Sequence, residues 1–250
     1  EIVGILSLEL EGETLADYPL VALQEVTEGG IFDKTLDYYL KSLKLDEESG
    51  EAREISKSYN NIATVYYRIN EFEKAEDFFL KALEIKLQLS DKAGLAFSYN
   101  NLGALNFILK RFPQSLEYYR KSLSIREKIN DTKGIISCCS NIGGVHFDQN
   151  NTTEALKWFK RAYELSLKME DKHNAALVIG NIANVHYELG DFTEAEKYAE
   201  MELELAQELE ELPLQNSACI SLCKVYNEME DYKNAFLYHQ EYKYLSDAIY

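Results

Sequence analysis

Four asparagines recur at a spacing of forty residues: Asn61, Asn101, Asn141 and Asn181. A carboxamide carries two N–H donors and a carbonyl acceptor, so a column of them can hold a polypeptide main chain without reading its side chains. The residue before each starts as asparagine, Asn60 and Asn100, then gives way to Ser140 and Gly180. Only the second position is a continuous column, and Ser221 ends it. Charge changes sign beside it. Lys57 and Arg68 accompany Asn61, whereas Asp148, Glu188 and Glu228 stand in the later copies where Arg68 stands in the earlier one, with Lys224 partly opposing them. That exchange favours positive charge in whatever the later copies bind, although charge on a helix surface also serves solvation alone. Phe97, Ala104 and Ile108 set an apolar stripe beside Asn101, which fits either a ligand hot spot or a partner helix laid against it. The competing reading of the whole column is that asparagine fixes local helix geometry.

Other chemistries find little support. His146 and His186 lie one period apart, but two imidazoles without a carboxylate or thiolate at ligand spacing make a poor metal site, and packing is their expected role. Cys138, Cys139, Cys219 and Cys223 show neither the Cys-x-x-Cys pairs of a zinc site nor the density of a disulfide scaffold. Buried free thiols in a reducing, cytoplasmic compartment are expected. No Walker loop, nucleophile elbow, kinase signature or zinc-protease motif is present, so no catalytic residue, metal or cofactor is assigned. The net charge of −17, from 26 basic and 43 acidic residues, argues against nucleic acid or anionic membrane as partner. No apolar run reaches spanning length. A protein or peptide partner, basic in part, is the class that remains.

The asparagines need elements that repeat with them. One phase is small in every copy, Thr35, Ala75, Ser115, Ala155, Ala195 and Ala235, and four residues later come Tyr39, Phe79, Tyr119 and Phe159, weakening to Ala199 and His239. Another phase is aromatic at Phe32, Phe72, Phe112, Phe192 and Tyr232, with Thr152 the exception. Within a unit, Tyr59, Ile62, Ala63 and Tyr66 have the three-and-four spacing of one helical face. On a helical wheel they oppose Lys57, Asn61, Thr64 and Arg68, so the asparagine column points away from the packing seam. A turn at Asn70-Glu71 leads to a second helix from about Glu73 to Leu89, and Asp91-Lys92-Ala93-Gly94 reads as the stop that closes the unit. Tyr67, Phe107, Phe147 and Tyr187 are expected to pack between repeats.

Tyr59-x-x-Ile62-Ala63-x-x-Tyr66 followed by Ala75-x-x-x-Phe79 resembles the tetratricopeptide repeat, as does Tyr99-x-x-Leu102-Gly103 followed by Ser115-x-x-x-Tyr119. The period of forty exceeds the usual thirty-four and no terminal proline is present. Six further residues add roughly 9 Å of helix, expected mostly in the second helix. The resemblance implies that the asparagine side lines a concave groove where such residues hydrogen-bond an extended peptide. A clamp for a carboxylate tail needs basic neighbours, and the places equivalent to Lys57 hold Phe97, Ser137 and Leu177. Long-unit arrays of this kind are similar to those of bacterial signalling regulators, which precede a kinase, cyclase or DNA-binding output, and of polarity adaptors. The stretch Tyr238 to Lys243 is similar to a last helix before such an output.

These observations predict an all-α, right-handed α-solenoid of helix-turn-helix repeats. About six units of forty residues occupy residues 16–250, the first degenerate, after a tail or the end of an earlier repeat over residues 1–15. The second of these options rests on Ile5, Leu15 and Ala16, which precede Ile85, Leu95 and Ala96 by eighty residues. The expected function is a non-enzymatic scaffold holding a peptide or partner segment. The alternative is the sensor of a signalling protein whose output domain lies elsewhere.

Overall fold

The computed structural model describes residues 2–10, 13–21 and 28–249. Strands β1 (Ile2–Leu10) and β2 (Glu13–Val21) pair antiparallel, with Leu6 opposite Tyr18 and Leu8 opposite Ala16. This corrects the expectation that Ile5, Leu15 and Ala16 belong to the second helix of an earlier repeat. The run Leu6-Ser7-Leu8-Glu9-Leu10 alternates apolar and polar residues with a period of two, a strand pattern that matching at an eighty-residue offset did not test.

Among the described residues eleven helices follow. They are α1 (Glu28–Ser49), α2 (Ala52–Arg68), α3 (Phe72–Gln88), α4 (Lys92–Ile108), α5 (Phe112–Lys128), α6 (Thr132–Asp148), α7 (Thr152–Lys168), α8 (Lys172–Glu188), α9 (Phe192–Glu208), α10 (Leu212–Glu228) and α11 (Tyr232–Ile249). Among the described residues the first helix is α1, after β2 has occupied residues 13–21, so residue 16 lies in a strand and not in the repeat array. From α2 to α10 every helix has 17 residues, so the extra length of the unit is shared by both helices and not concentrated in the second.

The chain forms two compact units, Glu1–Ile85 and Lys86–Tyr250. In the first, α1 carries Thr35 at the small phase and is the only helix of its repeat among the described residues. Ile62 and Ala63 of α2 are fully buried, and Tyr59 and Tyr66 flank the Phe78 ring at centroid distances of 5.8 and 5.6 Å. The face read from the three-and-four spacing is the packing face.

The second unit stacks the pairs α4/α5, α6/α7, α8/α9 and α10/α11 into an all-α solenoid. One turn geometry recurs inside each pair. After α6, Asn150 takes φ 58° and donates its N–H to the Phe147 carbonyl at 2.8 Å, while Asn151 donates to the His146 carbonyl at 2.9 Å. This is the Schellman arrangement, in which a left-handed residue satisfies the last carbonyls of the helix. Lys110, Gly190 and Glu230 hold the same left-handed place. Between pairs, Asp91, Asp131 and Asp171 accept the N–H of Gly94, Gly134 and Asn174 at 3.1, 3.0 and 3.1 Å. The reading of Asp91-Lys92-Ala93-Gly94 as a helix stop is therefore corrected. The stop is left-handed Ser90, and Asp91 is the N-cap that starts α4 by satisfying an orphan amide.

The small phase is where the two helices of a pair cross. Ala155 and Ala195 are fully buried there, as is Ser115, whose hydroxyl donates to the Gly103 carbonyl at 2.8 Å. Beside it the aromatic of the second helix lies flat on the first: a Cβ at Gly103 or Gly143 would come within 2.6 Å of the Tyr119 or Phe159 ring. Where that ring becomes Ala199, the facing residue becomes Ala183, and Tyr226 joins the same cluster. Volume is exchanged between the two helices, which keeps the seam dense.

Candidate ligand-binding groove

In the second unit α4, α6 and α8 lie side by side, each backed by the second helix of its pair. Between them opens a pocket of ≈ 310 Å³. Phe107 forms one wall, Asn181 and Asn184 the other, and α6 supplies Ser140, Asn141, Gly144, Phe147 and Asp148. Three of the expected site residues, Asn141, Asp148 and Asn181, therefore meet in one place.

They differ in what they already bind. Asn141 is half-buried and donates from Nδ2 to Oδ1 of Asn100 at 3.1 Å, so the flanking asparagine of one repeat anchors the column asparagine of the next. This leaves the Asn141 carbonyl oxygen for a further contact. Asn181 is half-buried, Asn184 is exposed, and neither side chain is hydrogen-bonded among the described residues. Asp148 is held by Lys110, with Nζ 2.7 Å from Oδ2. Tyr187 donates to Glu228 at 3.4 Å, and burial followed by the carboxylates of Glu228 and Glu188 raises its phenol above the ordinary pKa. The later repeats thus present concentrated negative charge.

The other expected residues lie outside this pocket. Asn101 is half-buried and Ile108 is 44% exposed at the end of α4. Phe97 is half-buried beside the ammonium of Lys86, 5.6 Å from the ring centroid. Lys86 itself is buried, donates to Ser98 at 2.9 Å, and is lowered by burial to a pKa of about 8. Phe97 is therefore in part the cover of a buried amine. Glu188 is exposed at the end of α8. In the first unit, Lys57 is exposed and pairs with Glu54 at 3.0 Å, Asn61 is half-buried and Arg68 is exposed.

Phe107 packs, as expected, against a cluster that includes Ile142 and Val145 of the next repeat, and Tyr187 reaches Glu228 of the next repeat. Each also closes its own turn, Phe107 on Phe112 at 6.2 Å and Tyr187 on Phe192 at 5.7 Å. Thr152 stands where α7 would supply the same partner, so Phe147 has no ring partner among the described residues; it packs on the core cluster and lines the pocket. His146 is buried with both ring nitrogens unbonded and its pKa lowered by burial, while His186 stacks on Tyr198 at 5.4 Å. Both are seam residues. The four cysteines are free, three of them buried and Cys223 half-buried.

Sequence reasoning missed Gly144, Asn184 and Lys110. Asn184 follows Asn181 by three residues and so shares its helical face. The signal at Gly144 was a glycine inside a helix beside a second one that packing explains. Lys110 follows α4 in the turn, where a charged residue is ordinary and gives no signal of a partner on the next repeat.

The model of the tetratricopeptide repeat matches residues 30–88, 94–168 and 135–208, more than half of the chain. The chain belongs to the tetratricopeptide repeat family. Among solved structures, BtubC from P. vanneervenii is similar at a TM-score of 0.77 and 18% identity, covering 87% of this chain and 92% of that one. A Rap protein complexed with competence and sporulation factor has a TM-score of 0.69 and 20% identity over 90% of this chain and 67% of its own. A STAND signal-transduction ATPase with a tetratricopeptide repeat sensor, from Pyrococcus horikoshii, has a TM-score of 0.74 and 19% identity, covering 86% of this chain and 33% of that one. At these identities the likeness shows the repeat fold. The D-alanyl-D-alanine carboxypeptidase DacA of Escherichia coli is 45% identical over 38 residues, which are 15% of this chain and 9% of that protein. The chain thus spans a small part of the curated relative it matches.

Proposed function

We propose that this repeat array is a non-enzymatic scaffold that holds an extended peptide in the groove of its second unit. The carrying observation is that unbonded carboxamides, Asn181 and Asn184, share one pocket with Asn141, three phenylalanines and a carboxylate. The asparagines take the peptide main chain, Phe107 and Phe147 take a side chain, and Asp148 and Glu188 favour basic residues. Asn101 and Ile108 extend the same surface along α4, with Phe97 at its start. The Rap complex with competence and sporulation factor supports the reading, since a chain of similar fold is named there with a bound factor. Free thiols support a reducing, cytoplasmic setting, and among the described residues no helix is long and apolar enough to cross a membrane.

Replacing Asn141 and Asn181 together by alanine tests it. Retention on a random hexapeptide array should fall about tenfold, the size expected from losing one or two hydrogen bonds, with the helical circular dichroism unchanged. Undiminished retention places binding elsewhere. A second reading is the sensor of a longer signalling protein, favoured by the STAND protein, of which a chain like this one covers 33%. The full reading frame decides between them: a coiled coil leading to an output domain supports the sensor, and its absence refutes it.

A further inference from the structure

Lys110 ends α4 in the left-handed region, at φ 56°. The same place holds Asn70, Asn150 and Gly190 in other repeats, residue types that accept this conformation at low cost, and Glu230 in the last. Lysine has no such advantage, and its side chain is used. The ammonium passes 5.3 Å from the Phe107 centroid and 5.6 Å from that of Phe112, then meets Asp148 on the next repeat at 2.7 Å. Both Phe107 and Asp148 line the groove pocket. Lys110 remains 64% exposed and Asp148 30%, so the pair is screened and weakly held, a contact that can exchange. A carboxylate that lines one pocket with the rings of Phe107 and Phe147 is also an environment for an arginine or lysine arriving on a ligand, by charge and by ring face.

We propose that Lys110 is a resident stand-in for a basic side chain of the bound peptide. It neutralises Asp148 while the groove is empty and gives way when the ligand's own cation enters between Phe107, Phe147 and Asp148. The idea rests on the groove reading above and adds a regulation to it: the array competes with its ligand for one carboxylate. Removing Lys110 should therefore strengthen binding of basic peptides, the opposite of what loss of a structural ion pair would do.

The test uses two hexapeptide pools that differ at one fixed position, arginine in one and glutamine in the other. Lys110→Met keeps most of the side-chain stem and loses the charge. It should raise the arginine-to-glutamine retention ratio threefold or more, and Asp148→Asn should bring that ratio close to one. Lys160→Met removes an equal charge from the exposed face of α7 and should leave the ratio near wild type. If Lys110→Met leaves the ratio unchanged, or Lys160→Met shifts it equally, the stand-in role is refuted. The groove reading still stands in that case, provided the Asn141 and Asn181 double variant weakens both pools. Pools indifferent to the double variant, or bound by neither protein, refute the groove and the stand-in together.

Discussion

Gly143 and Gly144 are neighbours on α6 and answer to different partners. A Cβ at Gly143 would lie 2.6 Å from the Phe159 ring, whereas one at Gly144 would meet nothing within 4 Å. Gly180 on α8 repeats the first case with another chemistry, since its Cβ would lie 2.6 Å from the Glu202 carboxyl. Glycine inside a helix costs about 0.5–1 kcal/mol relative to alanine. In the seam a ring or a carboxyl occupies the space so gained. In the groove nothing belonging to this chain does. The contrast separates glycines required by folding from one that a ligand would use.

The largest effect expected concerns Gly180. Glu202 is 2% exposed, its Oε2 has no hydrogen-bond partner, and burial, opposed by Ser217, raises its pKa from 4.5 to about 7. Between those values the unfolded chain has released the proton while the folded chain keeps it. The stability contribution is full below about pH 4.5 and is lost as pH rises through about 7, a fall on the order of 3 kcal/mol. Glu202→Gln stays neutral, so its urea-unfolding profile against pH should lack this fall. Parallel profiles for the two proteins would show that the carboxyl is not desolvated in the seam.

Next in size is Gly143→Ala. The Phe159 ring has to shift, and overpacking of a dense seam destabilises by about 1–3 kcal/mol, which outweighs the helical gain from alanine. Urea denaturation reads the difference. A stabilised variant would mean that the ring lies further from α6, and the comparison with Gly144 would lose its meaning.

The seam was more legible in the sequence than the groove, for a physical reason. Packing repeats: the small phase at Ser115 and Ala155 and the rings at Tyr119 and Phe159 recur because each repeat meets the next in the same way. Ligand contacts need not repeat, and what marks the pocket is departure from the period. Thr152 takes a ring away from beside Phe147, and Lys110, where three other repeats place asparagine or glycine, reaches Asp148. The asparagine column was visible as a period, but its bond from Asn141 to Asn100 was not, because two adjacent columns pair only when the repeats stack. The hairpin of β1 and β2 escaped because a search tuned to a forty-residue period ignored alternation over five residues.

The smallest effect is the most diagnostic. Gly144→Ala adds one methyl group to an open pocket floor and removes the conformational freedom of glycine, so the array should gain about 0.5–1 kcal/mol of stability. The same methyl narrows the pocket between Asn141, Phe147 and Asn184, where a peptide backbone would approach α6 most closely. Peptide retention should fall several-fold in a protein that is harder to unfold. Loss of binding through damage to the fold predicts the opposite sign in the unfolding measurement, so the two readouts together separate the causes. A stabilised variant with unchanged retention would show that the floor of the pocket is not where the ligand lies, and would leave Gly144 without a role that the structure explains.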